Sequence, residues 1–232
     1  MTAPDELQAS RNTTSTANDA TSGSMRQISA PSSEQARVPE PDPSRHLSLD
    51  ELEERGGSRA PSPRDAGAVT LICSRLSTGR RWLAPRIAVD PVGGLSGDRW
   101  YDGRVAGEQK YGDLYADMQV ATIEASVAEL IANGQPLPLF GDNLFLDLDL
   151  SSENLPTGSE IEIGAVLLRV TPAPHNGCNK FHARFGASAL RYVADPSSRS
   201  KNRRGIYLRV VEGGEIGVGD TARVRSRTPA AI

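Results

Sequence analysis

Apolar positions in this chain come as short runs broken by glycine and proline, and nearly all of them lie after residue 66. Val69 to Arg75 carries the β-rich run Val-Thr-Leu-Ile-Cys of a strand, and Trp82 to Val89 predicts one or two more. Gln119 to Ile123 reads as a buried strand leading into an amphipathic helix, Ser126 to Asn133. Val127, Leu130 and Ile131 share one face of that helix, and Asn133-Gly134 marks its end. Within Phe145 to Leu150, Leu146, Leu148 and Leu150 alternate with Asp147 and Asp149, which predicts a half-exposed strand with the two acids on its wet face. Ala165 to Val170 and Ile206 to Val211 predict two further strands, and Ala187 to Val193 a short helix.

Gly158-Ser159-Glu160-Ile161-Glu162-Ile163-Gly164 echoes Gly213-Gly214-Glu215-Ile216-Gly217-Val218-Gly219, a pattern suited to turn, short strand, turn. Two copies do not make a repeat architecture. Many short strands, frequent glycine turns and few helices predict a mainly β fold, a barrel or sandwich with helical decoration.

The first forty-five residues differ in kind. They are dominated by Ser, Thr, Ala, Pro, Asp and Glu, and no aromatic residue precedes Trp82. Such a segment buries too little apolar surface to offset its ordering entropy, so residues 1–45 are expected to form a disordered low-complexity tail. Residues 46–66 read as a short acidic helix, capped by Ser48 and ended by Gly56-Gly57, then a linker broken at Ala60-Pro61-Ser62-Pro63. Regular structure is expected to begin near residue 67. Residues 67–226 form the β domain, and 227–232 a C-terminal tail.

No charged start followed by an apolar stretch marks a signal peptide, and no run approaches the roughly 18 to 20 apolar residues of a membrane span. The expected location is cytoplasmic, with both cysteines reduced and no membrane partner. Arg80-Arg81 reads as surface charge. The net charge of −3 points to no nucleic acid. Its distribution is more informative, because from Lys180 to Arg209 eight basic residues face one acid, Asp195. That segment suits a small anionic ligand, or else a solvated loop around Pro196 to Asn202.

The stretch Pro174 to His182 holds one of two cysteines and two of three histidines. A thiol reacts as thiolate, and cations favour that form, so Cys178 beside Lys180, His182 and Arg184 is the candidate nucleophile or sulfur carrier. His175 and His182 are candidates for proton transfer near neutral pH. Cys73, inside an apolar run, reads as packing. A zinc site on His175, Cys178 and His182 has spacings unlike the usual ones. A Cys-His hydrolase lacks a visible third member.

Two further motifs carry polar residues into turns. In Gly93-Gly94-Leu95-Ser96-Gly97-Asp98-Arg99-Trp100, glycines permit close approach to a ligand, and Arg99 offers a planar fork for an oxyanion or pterin edge. It is neither a dinucleotide fingerprint nor a P-loop. Gly141-Asp142-Asn143-Leu144 is an ordinary turn by itself, at the mouth of the alternating strand.

From about Leu71 to Val224 the chain resembles the MOSC family, the domain found at the C-terminus of molybdenum-cofactor sulfurases and in stand-alone bacterial proteins. The segments that carry the resemblance are Gly94 to Arg99, Gln119-Val120, Gly141 to Leu144, Leu155 to Gly164, Pro174 to Cys178 and Gly205 to Gly214, in that order. Many relatives place the cysteine directly after proline, whereas here His175-Asn176-Gly177 intervenes. The resemblance implies a β-barrel, and Cys178 as the residue that ligates molybdenum or carries a persulfide. It implies binding of the molybdenum cofactor, sulfur or oxygen-atom transfer, and a link to reduction of N-hydroxylated compounds. Asp98, Arg99, Asn143, Lys180, Arg184 and Arg204 are the residues expected to bind the anionic cofactor. A sulfur donor or redox partner protein is implied as well. Pyridoxal phosphate enters by family association alone, since no Schiff-base lysine motif is recognisable. The rival expectation is a non-catalytic barrel that binds a small anion or a partner.

Overall fold

The computed structural model describes residues 37–227. In chain order its elements are α1 (Leu49–Ser58), β1 (Ala66–Ser77), β2 (Arg80–Leu83), β3 (Arg86–Asp90), β4 (Gly94–Leu95), α2 (Arg99–Asp102), α3 (Arg104–Tyr111), α4 (Leu114–Asp117) and β5 (Val120–Glu124). They continue with α5 (Ala125–Ala132), β6 (Leu144–Leu146), β7 (Glu160–Ile163), β8 (Val166–Val170), α6 (Asn179–Ala194), β9 (Ile206–Glu212), β10 (Gly214–Gly217) and β11 (Thr221–Ser226).

Seven strands close into a barrel in the order β11-β7-β8-β9-β5-β6-β1, sealed by pairing of β1 with β11. Closure removes the sheet edges that would otherwise invite association. β2 folds back on β1 as a hairpin, and β3, β4 and β10 form a small separate sheet. The mainly β expectation therefore holds, and among the described residues β5 with β6 is the one parallel pair.

Two apolar layers fix this arrangement. Val69, Ile72, Leu144, Leu146, Leu168 and Leu208 fill the barrel. Outside it, Ile123 and Phe145 turn the other way, onto Leu52, Ile131, Phe181 and Phe185 of α1, α5 and α6. The half-exposed strand expected at Phe145–Leu150 is corrected by that layer. β6 is only three residues long and buried on both faces, because helices cover its outer side. Asp147 and Asp149 then leave the ladder, their amides donating to Ala68 and Pro63.

The acidic helix is present, with Ser48 and Glu51 forming a reciprocal capping box. It runs through Gly56-Gly57 rather than stopping there, and an added Cβ at Gly56 would meet the Tyr192 hydroxyl of α6. Residues 1–36 of the expected tail, and 228–232 at the other end, lie outside the described residues. Residues 37–45 do not conform to a disordered tail: Arg37 bridges Arg80, Val38 donates to Gly79, and the Asp42 amide donates to Gln135. Regular structure thus starts well before residue 67. The loop expected at Pro196–Asn202 contains a short 3-10 helix capped by Asp195, with Asn202 donating to Leu150.

Candidate functional site

Cys178 sits at the start of α6, exposed, with its side chain free of any cap bond. α6 is two helices joined at Gly186, whose φ of 85° and ψ of 170° admit only glycine readily. The first half carries Lys180, His182 and Arg184; the second covers the Ala187–Val193 helix expected from the pattern.

Arg184 belongs to a group of arginines drawn from five places in the fold. Arg75 comes from β1, Arg81 from β2, Arg99 from α2, Arg184 from α6 and Arg204 from the turn before β9. Two are neutralised. Arg75 binds Asp98 through Nε and Nη2, each at 2.9 Å, and Arg204 Nη1 binds Asp142 at 2.7 and 3.0 Å. Burial works against the Arg75 charge, but Asp98 overrides it and holds the guanidinium above its usual value. Arg81, Arg99 and Arg184 have no carboxylate partner among the described residues. Burial lowers Arg81, as does the charge of Arg184, Arg99 and Arg75; burial also lowers Arg184, which Cys178 opposes and Arg204 and Arg99 reinforce.

Arg81 corrects the reading of Arg80-Arg81 as surface charge. It is 7% exposed, opposite Arg75 in the β1–β2 hairpin, and its Nη1 donates to the carbonyls of Ser77 and Arg80. Both Arg75 and Arg81 were missed as site residues. The available signal was the hairpin itself, since a turn at Thr78-Gly79 sets residues of the two arms opposite each other.

Asp98 and Asn143, expected to bind the cofactor, lie buried in a hydrogen-bond network with Arg75. Asp98 accepts from Arg75, from the Trp100 amide at the head of α2, and from Asn143 Nδ2 at 2.8 Å. Asn143 is fully buried, and also accepts from the Ala121 amide and donates to the Cys73 carbonyl. Their bonding capacity is committed inside the protein. Burial pushes the Asp98 carboxyl up, but Arg75 outweighs it and leaves the group below its ordinary range.

His175, expected to transfer protons, lies inside the protein. Its side chain is 4% exposed, Nε2 lies 3.4 Å from Asp142, and its ring lies 4.3 Å from that of Tyr207. Burial, then the charge of Arg204, holds the imidazole well below its usual range and so neutral at pH 7. Burial pushes the Asp142 carboxyl up while Arg204 opposes it. His182 is exposed, one helical turn beyond Cys178, with its amide donating to the Cys178 carbonyl. Lys180 is exposed beside it. Among the described residues no group of three His, Cys, Asp or Glu side chains is placed to hold a metal ion. The basic segment does not form one patch, because Arg203 leaves for Glu53 and the Tyr192 ring while Arg191, Arg199, Lys201 and Arg209 are exposed.

The chain is a small closed barrel with an exposed cysteine at the start of α6. Residues 102–223 match the family model of the MOSC domain, and the chain belongs to that family. Among solved structures, YuaD protein from Bacillus subtilis aligns over 71% of this chain and 98% of its own, at 18% identity and a TM-score of 0.54, which shows a shared fold. YiiM from Escherichia coli aligns over 72% of each chain at 18% identity and a TM-score of 0.44. No curated protein matches this sequence. No helix among the described residues is long and apolar enough to cross a membrane.

Proposed function

We propose that this MOSC-family protein acts in the cytosol, binds a molybdenum-pterin cofactor, and uses Cys178 as molybdenum ligand or persulfide carrier in sulfur or oxygen-atom transfer. N-hydroxylated compounds are the proposed substrate class. The observation that supports this best is the exposed Cys178 thiol beside Arg184, within a cluster whose Arg81, Arg99 and Arg184 lack carboxylates. A soft thiolate suits molybdenum or sulfane sulfur, and guanidinium forks suit a phosphate.

The residues present fit such a group. The Nε atoms of Arg81 and Arg204 are buried without partners, which leaves donors to be met. When bound, the cofactor supplies a metal centre that exchanges an oxygen or sulfur atom together with two electrons. Arg99, Lys180, Arg184 and Arg204 are the residues proposed to hold its anionic end. Asp98 and Asn143 orient Arg75 and α2 beneath them. His182, exposed a turn from Cys178, is placed to exchange a proton with solvent. A sulfur donor or redox protein is the proposed partner.

The test is elemental analysis for molybdenum, with pterin determined by fluorescence, on wild type and Cys178→Ala purified anaerobically from a cofactor-competent host. Near-stoichiometric molybdenum that is lost in the variant, with pterin retained, supports Cys178 as ligand. Molybdenum retained with loss of a cyanide-labile sulfur supports the carrier role. Absence of both molybdenum and pterin from wild type sinks the cofactor reading and leaves an anion-binding barrel.

A further inference from the structure

Arg81 and Arg184 come from distant parts of the chain, yet their guanidinium groups meet over Gly141. A Cβ added to Gly141 would lie 3.2 Å from Arg81 Nη2 and 3.8 Å from Arg184 Nη1. Gly141 has φ +77°, in the left-handed region that favours glycine, and with no side chain there the two cations close over its backbone.

Neither cation has a carboxylate partner among the described residues. Arg81 spends Nη1 on two backbone carbonyls, its Nε is enclosed with no partner, and its Nη2 is neither bonded nor fully enclosed. Arg184 spends Nη1 on the Leu139 carbonyl at 2.7 Å. Asp142, next in sequence to Gly141, is already occupied by Arg204. Two guanidinium groups that repel each other in a partly dry setting are stabilised most directly by an anion between them.

We infer that Arg81 and Arg184, where they meet over Gly141, form a subsite for a small oxyanion, a phosphate, sulfate or carboxylate group. The fork of Arg81 is held still by the Ser77 and Arg80 carbonyls, and that of Arg184 by Leu139. The donors are therefore in place before the ligand arrives, which limits the ordering cost of binding. The oxyanion can be the terminal phosphate of a bound cofactor or a free oxyanion substrate. The first source rests on the function proposed above; the subsite itself does not.

The experiment is calorimetric titration of the full chain, freed of small molecules, with inorganic phosphate and with sulfate at fixed ionic strength. Wild type, Arg81→Gln, Arg81→Lys, Arg184→Gln and Arg169→Gln are compared. Arg169 is an exposed barrel residue paired with Glu160 and serves as the control. Saturable binding by wild type is expected, weakened about ten-fold or more in Arg81→Gln and Arg184→Gln, less in Arg81→Lys, and unchanged in Arg169→Gln. Arg184, half-buried, covers the case in which Arg81→Gln does not fold.

Absence of saturable binding by wild type overturns the inference, as does equal affinity in wild type and both Gln variants. Repeating the titration on protein that retains pterin separates the two sources. A site blocked by pterin marks the cofactor's phosphate, and a site still open marks a free oxyanion. Protein with no molybdenum or pterin that still binds phosphate through Arg81 refutes only the cofactor reading.

Discussion

His46 places its Nε2 3.0 Å from the carbonyl oxygen of Arg184, at the break between the two halves of α6. The same carbonyl receives Gln135 Nε2 at 3.4 Å. The segment before α1 thus takes up a carbonyl that the kink at Gly186 would otherwise leave unpaired, and it does so on the residue whose side chain reaches Gly141. A Cβ at Gly186 would lie 2.8 Å from His46 Nδ1, so helix break and histidine ring are fitted to each other.

Gly186→Ala is expected to destabilise the protein by about 3 kcal/mol, because alanine cannot hold the glycine backbone conformation without strain and its methyl meets the ring. His46→Ala should cost about 1 kcal/mol, the usual net worth of a hydrogen bond. In the double variant the clash is relieved but the backbone strain persists, so its loss should be smaller than the sum of the two. Urea unfolding of the four proteins measures all three quantities; additive losses would show that ring and kink are independent.

Asp98→Ala tests the base of the arginine cluster. The change removes the carboxylate that Arg75 binds at two points and the cap of the Trp100 amide, and it leaves a mostly buried guanidinium without its counter-charge. Breaking such a pair from one side is expected to cost about 3–5 kcal/mol. Asp98→Asn keeps an acceptor for the amide and should cost less. Equal stability of Asp98→Ala and wild type in urea would mean that Arg75 finds solvent instead.

How far the sequence carried the site is clearest in the two hairpin arginines. Alternation and β-branching made the strands of Val69–Arg75 and Ile206–Val211 legible, and Ser48 made α1 legible through its cap. Cys178 stood out by its neighbours in sequence. Arg81 did not, since its meaning depends on Arg184 and Gly141, which lie far along the chain. The hydrogen bonds of Asp98 and Asn143 were hidden for the same reason: their partners Arg75 and Cys73 lie on β1, well separated in the chain. The α2–α4 excursion offers weak apolar periodicity. Its order comes from tertiary stacking of Trp100 on Tyr115 at 5.5 Å and a hydrogen bond from the Tyr115 hydroxyl to the Trp100 carbonyl.

The two cysteines should separate cleanly by reactivity. Cys73 is fully buried between barrel and helices, and burial pushes its thiol up to about 12, so at pH 8 it is neutral and shielded. Cys178 is exposed. Titration with an aromatic disulfide reagent should consume one thiol in the folded protein and two in denaturant, and the folded-state reaction should vanish in Cys178→Ser. Two fast thiols without denaturant would contradict the placement of Cys73.

His175 gives the acid limb of stability a definite sign. In the folded protein burial, then Arg204, holds the ring neutral well below the ordinary value of 6.5, whereas the unfolded chain protonates near that value. Below pH 6.5 the unfolded state therefore binds more protons, so this contribution is fully present above 6.5 and is lost as the pH falls towards the folded value. The groups facing the ring are Asp142, Arg204, Arg75 and Tyr207. Asp142 is raised by burial, so its protonation in the folded state works in the opposite sense and moderates the slope at the acid end. One differential proton corresponds to about 1.4 kcal/mol per pH unit at most. Comparing urea unfolding at pH 7.5 and 5.5, wild type should lose more stability than His175→Gln by about 1 kcal/mol. If His175→Gln and wild type fall in parallel, the ring takes up a proton inside the folded barrel and its pairing with Asp142 is an ion pair rather than a neutral contact.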